Sequence, residues 1–215
     1  MSSYTDKTTV EKYLDVTLDA NQTSFVVNAI AGVEDFINKY CGRKFDVAGT
    51  TATKKLYDGN GLESIVVDDF TEITSLSIDE IDVDTDDLFL YPANEDTKFL
   101  IELKNTLPRS SRNLGGQYFI FDVGQQNVEV EAKFGWKAIP EGIKLVATRL
   151  AGALLKEASG GTSKETTSES FLDYKVTYQS IKEIANAIGV VEILDQYIKP
   201  NAEGQRRSKS GYFQV

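Results

Sequence analysis

The sequence contains no histidine, and this absence alone excludes several kinds of chemistry. Without imidazole the chain cannot carry Ser-His-Asp or Cys-His catalysis, histidine-ligated zinc or imidazole acid–base catalysis. Cysteine is nearly absent as well, because Cys41 is the only one, which excludes an internal disulfide framework. Cys41 lies at the end of a predicted helix, and we interpret it as a small buried apolar residue rather than a reactive thiol.

Long apolar runs are also missing. None approaches the roughly 20 residues that a membrane-spanning helix needs, and residues 1–6 lack the apolar stretch of a signal peptide. We therefore expect no membrane partner and a protein that is made and kept in a cytosol-like compartment. Apolar residues nevertheless make up 41% of the 215 residues, which is enough for a packed core.

Charge divides the chain into an acidic body and a basic tail. The net charge is −10, whereas residues 201–215 carry +2, from Glu203 against Arg206, Arg207 and Lys209. An acidic body repels phosphate and is poorly suited to gripping DNA. The basic tail suits an acidic partner surface instead.

The N-terminal region has the apolar spacing of helices. Thr8 with Glu11 fits a capping box, and Asp19 with Gln22 offers a second one. Apolar residues then recur at three- and four-residue steps, at Val26, Ala29, Ile30, Val33, Phe36, Ile37 and Tyr40. This pattern predicts a helix over about residues 20–41 that ends at Gly42.

The middle of the chain changes to the two-residue period of strands. Residues 127–134 alternate most clearly, with Val128, Val130, Ala132 and Phe134 on one side and Asn127, Glu129, Glu131 and Lys133 on the other. Weaker strands are predicted at 64–68, 73–78, 88–91, 98–103 and 117–121, and turns at 58–61 and at Gly115-Gly116. Together they predict a small, mostly antiparallel sheet.

Helical spacing returns at Pro140, a good first-turn residue. The stripe is Ile143, Val146, Ala147, Leu150 and Leu154, and small residues at Ala147, Ala151, Gly152 and Ala153 allow a neighbour to approach closely. Residues 158–170 are predicted as a polar loop and 171–178 as an alternating segment. A last helix is predicted over about 187–198, before Pro200.

These segments predict an α+β fold. We expect an antiparallel helical bundle formed by both chain ends, with an inserted small, mostly antiparallel β module and an extended C-terminal tail. The expected boundaries are 1–53 plus 137–200 for the helical domain, 54–136 for the β-rich module and 201–215 for the tail.

No motif in the sequence predicts catalysis, a cofactor or a metal. Residues 79–87 are very acidic, but they lack the Gly and Glu of a calcium loop and are interpreted as a solvated strand edge, with a loosely bound cation as the alternative. Trp136 is interpreted as a core residue, with a partner contact as the alternative. The tail is the predicted partner-binding site, because arginine and aromatic residues anchor interfaces: Arg206, Arg207, Lys209, Tyr212 and Phe213. An inert tail and DNA contact by the two arginines stay open as alternatives.

Four short stretches, in order along the chain, follow the pattern of one protein family. Segment 33–45 is similar to a helix that closes with an aromatic residue, a small residue, Gly-Arg and another aromatic residue. Residues 56–61 resemble the family's first strand and turn, and 134–136 with 139–144 resemble its passage into the third helix. Residues 168–170 with 173–178 resemble the segment before its closing helix. The family that these stretches resemble is the head–tail connector (adaptor, or head-completion) proteins of tailed phages.

The resemblance implies a structural virion protein and not an enzyme. It implies a ring, usually of twelve subunits, that docks beneath the portal protein, extends the DNA channel without sequence-specific binding and joins the head to the neck or tail. It further implies that C-terminal segments reach the portal and that loops meet the next neck protein. Another neck or tail component (stopper, tail-completion or baseplate protein) is the alternative, and a carboxylate-dependent hydrolase is a further one.

Overall fold

The computed structural model describes residues 3–104, 120–159 and 178–200. Over these ranges the protein combines helices with an antiparallel sheet, which confirms the predicted α+β class. The helices are α1 (Lys7–Leu14), α2 (Ala20–Cys41), α3 (Glu141–Ala158), α4 (Tyr178–Ala187) and α5 (Val191–Asp195), with a 3₁₀ turn at Thr85–Asp87. The strands are β1 (Thr53–Gly59), β2 (Ser64–Ile78), β3 (Ile81–Val83), β4 (Leu88–Tyr91), β5 (Lys98–Leu103) and β6 (Gly124–Phe134).

Contacts divide the described residues into two compact units. The helical unit lies within Met1–Phe45 and Ile139–Ile198, and it contains all five helices. The β unit lies within Asp46–Ala138 and also includes Lys199 and Pro200.

The two N-terminal helices begin at different kinds of cap. The α2 helix has the predicted capping box of Asp19 and Gln22, and it ends at Gly42 in the left-handed conformation. The capping box predicted at Thr8 is wrong, because Asp6 caps α1 by accepting a hydrogen bond from the Thr9 N–H at 2.8 Å. Glu11 instead accepts a hydrogen bond from the Leu18 N–H at 3.0 Å.

The small residues of α3 allow α1 to approach closely. A Cβ atom added at Gly152 would lie 3.2 Å from side-chain atoms of Tyr13 and Leu14. Nearby, the buried hydroxyl groups of Thr5 and Thr148 share a hydrogen bond of 2.8 Å. The small residues of α3 therefore serve close packing inside the helical unit, as the sequence predicted of a close neighbour.

The predicted helix over 187–198 is wrong in its bounds. The α4 helix ends at Ala187, and Gly189 in the left-handed conformation (φ 70°) separates it from the short α5. Tyr178, which we expected at the end of an alternating segment, begins α4 instead. The rest of that segment lies outside the described residues, as does most of the predicted 158–170 loop.

The sheet has the strand order β1-β6-β2-β5-β4, with β3 paired to β2, and all pairs are antiparallel. The strands predicted at 64–68 and 73–78 form one strand, β2. Its register shifts between Val66 and Phe70 and again between Ile73 and Ser75. One side of the sheet holds the core of the β unit: Ile65, Val67, Phe70, Leu76, Ile78, Leu88, Ile101, Leu103, Phe121, Val128, Val130 and Ala132.

Two further predictions for the β unit are wrong, at least in the part that the structure describes: the burial of Trp136 and the strand at 117–121. Trp136 is half-buried rather than a core residue, and its backbone pairs with Asp46 and Ala48. Phe121, the end of a predicted strand, is fully buried but lies in no strand, and its N–H donates to the Leu62 carbonyl. Residues 117–119 and the Gly115-Gly116 turn lie outside the described residues.

Candidate functional site

The predicted partner-binding residues, Arg206, Arg207, Lys209, Tyr212 and Phe213, all lie outside the described residues. The structure does describe the point from which the tail starts. There the Lys199 Nζ lies 3.4 Å from Asp68 Oδ1, and the Lys55 Nζ lies 2.8 Å from Asp68 Oδ2. We call Asp68, Lys55, Lys199, Tyr57 and Phe134 the tail-start cluster.

Contacts within the tail-start cluster hold Asp68 in its ionised form. The Tyr57 hydroxyl accepts a hydrogen bond from the Asp68 N–H at 3.2 Å, and the Lys55 ammonium lies 4.2 Å from the centre of the Phe134 ring. Burial acts to raise the pKa of Asp68, but the ammonium groups of Lys55 and Lys199 outweigh it and lower that pKa below its usual value. Burial raises the pKa of Tyr57. The cluster thus places Lys199, two residues before the tail, beside β1 and β2.

A second surface lies on the side of the sheet away from the core. Residues directly opposite one another on paired strands share a face, so Leu56, Glu129, Ser77 and Asp82 form one row across β1, β6, β2 and β3. Lys54, Glu131 and Ser75 form the next row. With Asp79 and Glu80 of the β2–β3 turn, we call these residues the acidic face.

The acidic face carries more carboxylates than ammonium groups. Lys54 pairs with Glu129 at 2.7 Å. That hydrogen bond, followed by the charges of Glu129, Glu131 and Asp82, raises the pKa of Lys54. The face is also concave: a depression of about 670 Å³ is lined by Leu56, Ser77, Asp79, Glu80, Asp82, Gln126, Asn127 and Glu129.

Part of the acidic stretch 79–87 forms a strand edge, as the sequence predicted. Ile81–Val83 are β3, whereas Asp79 and Glu80 form a turn and Thr85–Asp87 a 3₁₀ turn. The short β3 pairs only with β2, and Asp82 at its centre is exposed. Asp84 uses its carboxylate to accept a hydrogen bond from the Asp86 N–H at 2.9 Å. Among the residues that the structure describes, no group of three or more His, Cys, Asp or Glu side chains is arranged to hold a metal ion.

Cys41 is fully buried, which confirms its interpretation as a core residue. Its Sγ lies 3.8 Å from the Leu194 carbonyl oxygen. Burial raises the pKa of the thiol to about 12, so the reactive thiolate is scarce in the folded protein near neutral pH.

Sequence reasoning found part of the acidic face and missed the tail-start cluster. The alternation over 127–134 already placed Glu129 and Glu131 on the polar side of a strand. The partners of that strand depend on register, which the alternation does not specify. Lys199 and Asp68 are 131 residues apart, and no local pattern connects them.

Comparison with known proteins adds no relative: no protein-family model matches the chain, and no curated protein matches it either. Within the described ranges, no helix is both long enough and apolar enough to cross a membrane.

Proposed function

We propose that this protein is a structural virion component of the head–tail connector of a tailed phage. In this proposal it forms a homo-oligomeric ring, of twelve copies in the usual arrangement, beneath the portal protein. The ring extends the channel through which double-stranded DNA passes and joins the head to the neck or tail. Assembly takes place in the host cytoplasm, and the mature protein resides in the virion.

One observation carries the proposal: three of the four stretches that resemble connector proteins lie, in order, where the chain passes from one element to the next, and the fourth lies outside the described residues except for Tyr178. The first contains the C-cap of α2, where Gly42 has a φ of 65°. The second ends β1 at Gly59, and the third links β6 to α3 through residues 134–136. Similar sequence at such junctions supports a similar chain path, because junctions restrict the residue type most strongly.

The third junction shows this restriction clearly. Gly135 has a φ of 122°, and a Cβ atom there would lie 2.7 Å from both the Ala48 nitrogen and the Asp46 oxygen. The Trp136 N–H donates to the Asp46 carbonyl, and the Trp136 carbonyl accepts from the Ala48 N–H, both at 2.8 Å. In the Phe-Gly-Trp motif, the glycine is required by the backbone conformation and the tryptophan backbone pairs with Asp46 and Ala48. A motif with such a structural requirement favours a shared fold over chance similarity.

We further propose that α2 and α3 belong to an antiparallel helical bundle formed by both chain ends. Side chains of both helices are buried, including Phe36, Ile37, Leu150 and Leu154, and the two helices contact each other. Copies of such a bundle standing side by side would build the wall of the ring.

The tail supplies the contact with the portal in this proposal. Arg206, Arg207, Lys209, Tyr212 and Phe213 are the anchor residues, because arginine and aromatic side chains dominate binding energy at interfaces. The Lys199–Asp68 pair places the residue two positions before the tail on the β unit. Other loops contact the downstream neck, stopper or tail protein. The acidic body lets DNA slide past without sequence-specific binding.

Deleting residues 201–215 tests the role of the tail. We expect portal binding to weaken by at least about tenfold, since a handful of anchor residues carries most of an interface's energy. The midpoint of chemical unfolding should stay unchanged, because the deletion removes no residue of either described core.

A charge-matched control separates anchor residues from general electrostatics. Arg206→Ala with Arg207→Ala should weaken portal binding, whereas Lys156→Ala with Lys182→Ala, which removes the same charge from exposed helix positions, should leave it unchanged. Portal affinity that is equal for the deletion and the full chain would remove the tail from the proposed interface.

A further inference from the structure

We propose that the acidic face of one copy binds the basic part of the tail, Arg206 to Lys209, of the neighbouring copy. This inference rests on the proposed ring and names the contact that joins its subunits. It refines the portal contact proposed above: Arg206, Arg207 and Lys209 support portal binding by holding the tail on the neighbouring copy, and Tyr212 and Phe213 contact the portal itself.

The acidic face is an exposed surface with mixed apolar and charged character. Leu56 is 52% exposed at the centre of its row, next to Glu129 on the paired strand. Among the described residues, no ion pair forms with Asp79, Glu80 or Asp82. A concave surface of this kind fits an extended basic segment that also has methylene groups to lay over Leu56.

The tail has the complementary chemistry. Arg206, Arg207 and Lys209 stand within four residues of one another, and only Glu203 opposes them in residues 201–215. From Lys199 to Lys209 an extended chain spans roughly 33 Å. This length is comparable to the diameter of a compact domain of about 100 residues, roughly the size of the β unit, so the basic residues can reach an adjacent copy.

The neighbour's face is favoured over the copy's own face because of where the tail starts. Lys54 and Lys55 are consecutive residues of β1 and point to opposite sides of the sheet. Lys54 lies on the acidic face, whereas Lys55 contacts Asp68, the partner of Lys199. The tail therefore starts on the side of β1 opposite to the acidic face.

A contact between one side of a copy and the opposite side of the next is heterologous. Such contacts repeat around an axis and close into a ring when the rotation between copies is suitable. In the proposed docking every copy binds the next one in the same rotational sense around the ring. Because the same tail also reaches the portal, ring assembly and portal binding depend on each other.

A labelled synthetic peptide of residues 201–215, used as the tail of the second copy, tests the docking. Fluorescence anisotropy should show that it binds the full-length chain at low ionic strength. A face variant, Asp82→Lys with Glu131→Lys, should bind it at least about tenfold more weakly. The control variant Glu157→Lys with Glu192→Lys, with the same charge change on the helical unit, should bind it as the unaltered chain does.

A charge exchange makes the test specific for this pair of surfaces. A peptide with Arg206→Glu and Arg207→Glu should bind the face variant better than the unaltered chain. Equal peptide affinity for the face variant and the unaltered chain would overturn the inference. So would tighter peptide binding, by about tenfold or more, to a full chain with Arg206→Glu, Arg207→Glu and Lys209→Glu, since each tail would then cover its own face.

Failure of this inference can be told apart from failure of the proposed function. If the face variant binds the peptide normally while the tail deletion still weakens portal binding, the docking is wrong and the connector role stands. If the peptide binds the acidic face but the chain is absent from the neck of the virion, the connector role is wrong and the docking stands.

Discussion

At the residue scale, Gly135 is a position where both the positive φ and the surrounding backbone require glycine. Gly135→Ala should lower the free energy of unfolding by about 2–4 kcal/mol, because the new Cβ atom meets backbone at a positive φ. Urea denaturation followed by circular dichroism measures this change. Gly49→Ala is the matched control, since its Cβ would have only the Thr51 oxygen within 4.0 Å. Similar stability of both variants would contradict the account.

Cys41 gives a second test at the scale of a residue. Burial raises the pKa of its thiol to about 12, so a thiol reagent at about pH 8 should react with the folded chain far more slowly than with the unfolded chain. Because the folded-state pKa lies above the unfolded value, Cys41 contributes stability below about pH 9 that is lost as the pH rises toward 12. Equally fast labelling with and without guanidinium chloride would show that the thiol is accessible.

At the element scale, the capping box of α2 should matter measurably. Asp19→Ala removes the acceptor for the Gln22 N–H and should cost about 1 kcal/mol of stability. Asn21→Ala, an exposed change in the same helical turn, serves as the control and should have little effect. Thermal unfolding of both variants measures the difference, and an equal loss in both would mean that the cap contributes nothing specific.

Elements with an uninterrupted period were the ones that the sequence predicted well. The bounds of α2, β4 and β5 agree with the prediction, and residues 127–134 lie in β6. β2 was predicted as two strands because its register shifts interrupt the alternation. The closing helix was misplaced because apolar residues after Gly189 continue the spacing, although its left-handed backbone ends the helix.

The candidate surfaces, like the misplaced elements, were predictable only where the signal is local in the sequence. The acidic strand edge was recognisable from charge alone. The tail was singled out by charge and residue type, and its role stays a prediction. The acidic face as a whole depends on the registers of β1, β6, β2 and β3, and the tail-start cluster depends on a contact between Lys199 and Asp68. Such long-range pairings are decided by tertiary packing, which local periodicity does not specify.

At the scale of the whole molecule, the division of charge is the feature that the proposed connector role would use. The chain carries −10 overall, whereas its last 15 residues carry +2. An acidic body disfavours binding to DNA phosphates, and a basic tail favours an acidic protein surface. Together these features suit a ring whose channel does not bind the passing DNA and whose subunits bind one another.

A reconstruction of the assembled virion neck at side-chain resolution tests the central claim most directly. We predict a closed ring of this chain directly beneath the portal, with residues 201–215 in contact with the portal or a sister copy and DNA in the central channel. A position further down the tail, as for a stopper, tail-completion or baseplate protein, would contradict the connector assignment. Absence of the chain from the virion would contradict any structural role.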